Sequence, residues 1–154
     1  MEIERKFLIK NCPENLDEYP YIDMEQGYLS IDPVVRIRRE NEDFFLTYKS
    51  KGLLSREEYN LPLNKESFAH LLTKIDGYLI RKRRYLIPFS DSLTIELDIF
   101  EEQLSPLQLV EVEFPDEETA LSFTPPHWFG KEVTYETAYH NSNLSQQQNY
   151  ITRE

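Results

Sequence analysis

The chain has 154 residues, 40% of them hydrophobic and 13% aromatic, which is enough for one folded domain with its own core and excludes a disordered segment. A net charge of −11 argues against general affinity for nucleic acid or an anionic membrane surface. The single cysteine, Cys12, forms no internal disulfide, and the start has no basic segment leading into an apolar run, so a cytoplasmic protein is expected. No apolar stretch approaches the length of a membrane span.

The first element is "MEIERKFL". Glu2, Glu4 and Lys6 fall on one parity and Ile3, Phe7 and Ile9 on the other, so a strand over 2–9 has one apolar face and one charged face. Further alternating segments follow at 26–31, 34–40, 43–50 and 55–61, separated by short turn sequences that imply antiparallel hairpins. Asn64 is a helix cap, with Phe68, Leu71, Leu72 and Ile75 at helical spacing after it. Strands return at 80–87, 93–99 and 108–114. A short helix is expected from the Asp116 cap to Pro125, and a third over 134–148. Trp128 and Phe129 are expected to plug a barrel end or anchor that last helix. The ending "SQQQNYITRE" reads as a frayed tail over 145–154. One domain over 1–154 is expected, mainly β within the α+β class: an antiparallel eight-stranded closed barrel with helices packed outside.

The charges are sorted by sign along these strands. "VVRIRRE" puts Arg36 and Arg38 together, opposite Val35 and Ile37. "TIELDIF" does this with Glu96 and Asp98, and "LVEVEF" with Glu111 and Glu113. "FFLTYKS" aligns Thr47 with Lys49, "SREEYN" aligns Arg56 with Glu58, and "IRKRRYL" aligns Lys82 with Arg84. The last pattern is weaker, because Arg81 and Arg83 also charge the opposite face. A wet face of a one-sided sheet would account for any one strand. It gives no reason for like charges to recur at i and i+2, about 7 Å apart. The charged face holds seven cations (Lys6, Arg36, Arg38, Lys49, Arg56, Lys82, Arg84) and seven carboxylates (Glu2, Glu4, Glu58, Glu96, Asp98, Glu111, Glu113). If a barrel closes around it, bare burial costs several kcal/mol per ion. Clustered carboxylates suit Mg²⁺ or Mn²⁺, and clustered Arg and Lys suit phosphate oxygens. A metal-chelated polyphosphate satisfies both, so this face is read as the inside.

With these residues in hand, "EIERK" resembles the Glu-x-Glu-x-Lys signature of the CYTH superfamily, the triphosphate tunnel metalloenzymes. The likeness continues through "QGYL", "RIR", "LTYKSKG", "SREEY", "RKRRY", "IELDIF", "LVEVEF" and "WFGKEVT", and is greatest to small stand-alone bacterial members. It implies an eight-stranded tunnel that binds triphosphate with Mg²⁺ or Mn²⁺. By the same resemblance Glu2, Glu4, Glu111 and Glu113 bind metal, with Asp98 near a second ion. Lys6, Arg36, Arg38, Lys49, Lys82 and Arg84 match the phosphate-binding cations, and Arg56 and Glu58 match an Arg-x-Glu-x-Glu strand. The sequence departs from the family at Asn60, where that strand has a final Glu, and at Thr137, where many members have Lys. Tyr28 in "EQGYLS" resembles a proposed proton acceptor, a role open to a phenol only where cations favour its anion. Tyr28 and Lys82 are therefore the candidate catalytic residues.

The expected activity is hydrolysis of inorganic tripolyphosphate to pyrophosphate and phosphate. A nucleoside triphosphatase or adenylyl cyclase on the same tunnel is the alternative, as is a polyphosphate-binding module without catalysis. The partner is a small triphosphate, with no nucleic acid and no membrane, and a homodimer is left open. His70, His127 and His140 have no partner at ligand spacing and read as surface or packing residues.

Overall fold

In the computed structural model, residues 1–90 and 92–146 are described; the end of the frayed tail, from 147 on, lies outside them. Ten strands form one antiparallel sheet. They are β1 (Glu2–Ile9), β2 (Tyr21–Ile31), β3 (Val34–Glu40), β4 (Asp43–Lys49), β5 (Ser55–Arg56), β6 (Glu58–Leu63), β7 (Asp76–Pro88), β8 (Thr94–Phe100), β9 (Gln108–Glu113) and β10 (Phe129–Glu132). The ladder runs β10-β1-β9-β8-β7-β2-β3-β4-β6. β5 lies one residue before β6 and pairs back to β1 through Glu2↔Arg56 and Ile3↔Ser55. With β5 and β6 counted as one stave, an eight-stave ring closes through this short seam. β10 is an addition outside the ring, paired to the other half of β1 at Phe7↔Glu132.

The apolar residues lie outside this wall, not within it. Ile3 and Phe7 from β1, Ile95 and Leu97 from β8, and Val110 and Val112 from β9 form a buried cluster. Ala120 of α2 (Glu117–Ser122) and Phe129 of β10 complete it. A second cluster, with Phe100, Leu104, Leu109, Val133, Tyr139 and Leu144, closes one end. On the outer wall Asp23 pairs with Arg83, and Glu25 with Arg39 and Arg81. These pairs explain the charges on both faces of β7: Arg81 and Arg83 answer the acids of β2, while Lys82 and Arg84 point inward. The opposite parity of β1, β3, β8 and β9 is left for the bore.

The expected caps are present. Asn64 Oδ1 accepts from Ser67 N at 2.7 Å before α1 (Lys65–Leu72), and Asp116 Oδ1 accepts from Thr119 N at 2.7 Å before α2. Three expectations are corrected. Ile75 lies beyond α1, where it packs so tightly on Gly27 that a Cβ there would meet its Cγ2 at 2.8 Å. The helix over 134–148 is not formed: a 3₁₀ turn at Thr137–Tyr139 precedes α3 (Asn141–Leu144), and 147–148 lie outside the described residues. Buried Val133, Tyr139 and Leu144 instead fold this segment across the barrel end. Phe129 begins the unforeseen β10 and packs 5.0 Å from Phe7, so it neither plugs an end nor anchors a helix.

Candidate active site

Alternation on seven strands brings most of the expected side chains to one cavity of about 270 Å³, lined by Glu2, Glu4, Arg36, Arg38, Lys49, Glu58, Arg84, Glu96, Glu111 and Glu113. Glu40, Phe45, Thr47 and Asn60 complete the lining. A narrower void of about 20 Å³ continues it toward Lys6, Tyr28, Arg56 and His140. Cross-strand register sets the pairs: Lys6 faces Glu111 and Glu4 faces Glu113 across β1 and β9. Opposite charges meet in the first pair and like charges in the second.

Part of this charge is matched within the chain. Lys49 Nζ lies 3.0 Å from Glu2 and 3.3 Å from Glu58, and Arg56 lies 3.4 Å from Glu2. Burial would raise the Glu58 carboxyl, but Lys49, hydrogen bonds with Glu2 and Asn60, and Arg36 together hold it down at about 2. Lys6 Nζ is 3.4 Å from Glu111. Burial opposes the Glu111 charge too, yet Lys6 and Arg84 keep its carboxyl well below the usual range. Arg84 grips Asp98 with two bonds of 2.7 and 2.9 Å, and Lys82 Nζ lies 2.7 Å from the same carboxylate. Asp98 is fully buried and Lys82 nearly so, and neither lines the cavity. Burial takes the Lys82 ammonium down to about 7 despite Asp98.

The rest is unmatched. Glu4 makes no ion pair among the described residues, and burial followed by Glu111 and Glu2 pushes its carboxyl up to about 8. Glu113 is raised by partial burial and then by Glu2. Burial, with Arg36 and Arg84 nearby, lowers Arg38 to about 10. Arg36 is buried, and its Nε has no hydrogen-bond partner. No group of three or more His, Cys, Asp or Glu side chains among the described residues converges to hold a metal ion. The expected ligand set is drawn apart because Glu2 and Glu111 turn to cations. The donor chemistry nonetheless fits a hard divalent ion: an unpaired, proton-retaining Glu4 with Glu113 opposite it is a carboxylate pair short of positive charge.

Four contributors were not given roles in the site from the sequence. Gln26 is fully buried, accepts from Arg38 Nε at 3.1 Å and donates to the Tyr28 hydroxyl at 3.4 Å. Its parity with Tyr28 was the available signal. Thr47 and Asn60 join Arg36 in one hydrogen-bonded row. His140 caps α3 and lines the narrow end rather than the surface, its ring taken down to about 4 by burial and then by Lys6.

The family model for the CYTH domain matches residues 1–147. The chain belongs to the CYTH family. Among CYTH relatives it is 42% identical to the inorganic triphosphatase of Nitrosomonas europaea over 94% of this chain and 96% of that protein. It is 35% identical to the inorganic triphosphatase of Acetivibrio thermocellus, over 93% of this chain and 92% of that one. The crystal structure of the inorganic triphosphatase NE1496 superposes with a TM-score of 0.72, at 38% identity and 97% coverage of both chains. The mainly antiparallel, nearly closed barrel is thus the fold of a CYTH triphosphate tunnel, and such tunnels are metal dependent.

Proposed function

We propose that this chain hydrolyses inorganic tripolyphosphate to pyrophosphate and phosphate inside its bore, with Mg²⁺ or Mn²⁺. The observation that carries this reading is a cavity with opposite charges left over: among the described residues Arg36 and Arg38 make no ion pair with a carboxylate, and Glu4 and Glu113 none with a cation. The names of the relatives at 42% and 35% identity support it. Arg36, Arg38 and Arg84 take the phosphate oxygens, with Lys49 and Lys6 released to them as Glu2 and Glu111 turn to metal. Glu4 and Glu113, joined by Glu2 and Glu111, would hold the ion, which when bound neutralises charge on the phosphate oxygens.

Water adds to a terminal phosphorus, the anhydride P–O bond breaks, and its electron pair leaves with pyrophosphate. The proton shed by the water goes to an acceptor at the narrow end. Tyr28 lines that end, its oxygen accepting from Gln26, and is the proposed acceptor in its phenolate form, which takes the proton and becomes the phenol. Lys82 serves from behind the wall, holding Asp98 against Arg84. The exposed free thiol of Cys12 is in keeping with a reducing, cytoplasmic setting.

Among the described residues Phe45 is the aromatic side chain lining the wider part of the cavity, and no set of side chains there is built to read a base. Phosphate release from tripolyphosphate, pyrophosphate, ATP, GTP and thiamine triphosphate with Mg²⁺ or Mn²⁺ tests the reading. Tripolyphosphate is expected to have the highest kcat/KM. Equal or higher kcat/KM for ATP, or cyclic AMP as main product, overturns it.

A further inference from the structure

We propose that Thr47, held by Asn60, is a positioning residue that fixes the Arg36 guanidinium for a phosphate oxygen; this rests on the tripolyphosphate reading above. Three neighbouring strands put the three residues in one row: Arg36 on β3 is directly opposite Thr47 on β4, and Thr47 is directly opposite Asn60 on β6. Thr47 is fully buried and lines the cavity. Its hydroxyl donates to Asn60 Oδ1 at 2.5 Å and accepts from Arg36 Nη2 at 3.2 Å. A hydroxyl has one proton, so once that proton goes to Asn60 only lone pairs face the arginine. Asn60 is oriented in turn, its Nδ2 donating to Glu58 at 3.2 Å.

The row orients Arg36 without neutralising it. Its Nε is buried and unpartnered, so the guanidinium is anchored at one nitrogen and keeps its charge and other donors for a ligand. A carboxylate at position 60 would place a negative charge on the same row and compete for that cation. The neutral Asn60, where the family pattern has Glu, keeps it free.

The test combines steady-state kinetics with calorimetric titration of tripolyphosphate into metal-free protein. Thr47→Val keeps the shape and removes the acceptor; KM and the metal-free Kd should both rise about tenfold, as for a lost hydrogen bond to a charged group. Thr47→Ser should stay within about twofold of wild type, since it keeps the hydroxyl. Asn60→Ala changes an exposed side chain and should give a smaller rise, about threefold, in the same two quantities. Wild-type affinity in Thr47→Val, or equal damage in the Ser and Val variants, overturns the positioning role and leaves the proposed activity standing. Failure of the wild type itself to bind tripolyphosphate with Mg²⁺ or Mn²⁺ present overturns both.

Discussion

Two clusters of buried charge sit a few residues apart in this barrel and differ in one respect. At the wall, Asp98 and Lys82 are sealed off from the cavity, and Asp98 is matched by two hydrogen bonds of 2.7 and 2.9 Å from the cavity-lining Arg84 and an ion contact of 2.7 Å with Lys82. In the bore, Glu4 faces Glu113 and Arg36 lies beside Arg38, and none of the four makes an ion pair among the described residues. Burial alone therefore does not mark a binding site, because both clusters are buried. A missing partner marks it. Lys82 and Asp98 are expected to matter for folding, the unmatched residues for ligand, and Arg84, which belongs to both, for each.

The sharpest way to break this comparison is Asp98→Asn. It leaves buried Arg84 and Lys82 sharing an uncharged amide, and loss of one member of such a group costs about 3–5 kcal/mol. Denaturant unfolding should show that loss without any ligand present; wild-type stability would make Asp98 a site residue like the others. Lys82→Met added to it should recover part of the loss.

Glu4→Gln should behave in the opposite way. Hydrolysis should fall at least about a hundredfold, about 2.7 kcal/mol of barrier. The ligand-free fold should be unharmed. The carboxyl is held at about 8, above its ordinary value, so its contribution to stability is full in acid and is lost as pH rises from about 4.5 to 8. Melting temperatures of wild type relative to Glu4→Gln should decline over that interval, and a flat difference would mean the carboxylate has a partner after all.

The smallest effect concerns His140, which faces Lys6, Arg56 and Glu111 at the narrow end. Its ring is held neutral down to about 4, so its contribution is present above about 6.5 and lost as pH falls toward 4. His140→Gln should flatten that decline in a melt series, and an unchanged slope would place the ring in solvent.

The ring and its lining were legible because a strand's period of two sorts side chains by face, and here one face is apolar and the other charged by sign. Depth along the bore was not legible. Parity put Lys82 and Asp98 on the same face as Arg84 and Glu96, but it does not say which of them reach the cavity and which are sealed beside it. Charge signs alone gave no means of telling matched from unmatched groups, because the match depends on register between strands distant in sequence, such as Lys6 with Glu111. β10 was hidden because "FGKE" is only four residues long and follows two prolines. The segment after it was misread because Val133, Tyr139 and Leu144, spaced six and five residues apart, are buried by tertiary packing that no local period announces. The outward acids Asp23 and Glu25 masked the first half of β2.

The short seam between β1 and β5 has a consequence for the order in which the chain assembles. β1 must bond to β5 around residue 55, to β9 around 110 and to β10 near 130, so the earliest strand in the sequence depends on nearly the latest. Contacts across such separations form slowly, since the loops between them must be closed first. Hairpins β2-β3 and β3-β4 have no such delay. β1 is therefore a late strand, and the inner face keeps its water until β1 docks, so fourteen charges are not forced together in an early collapse.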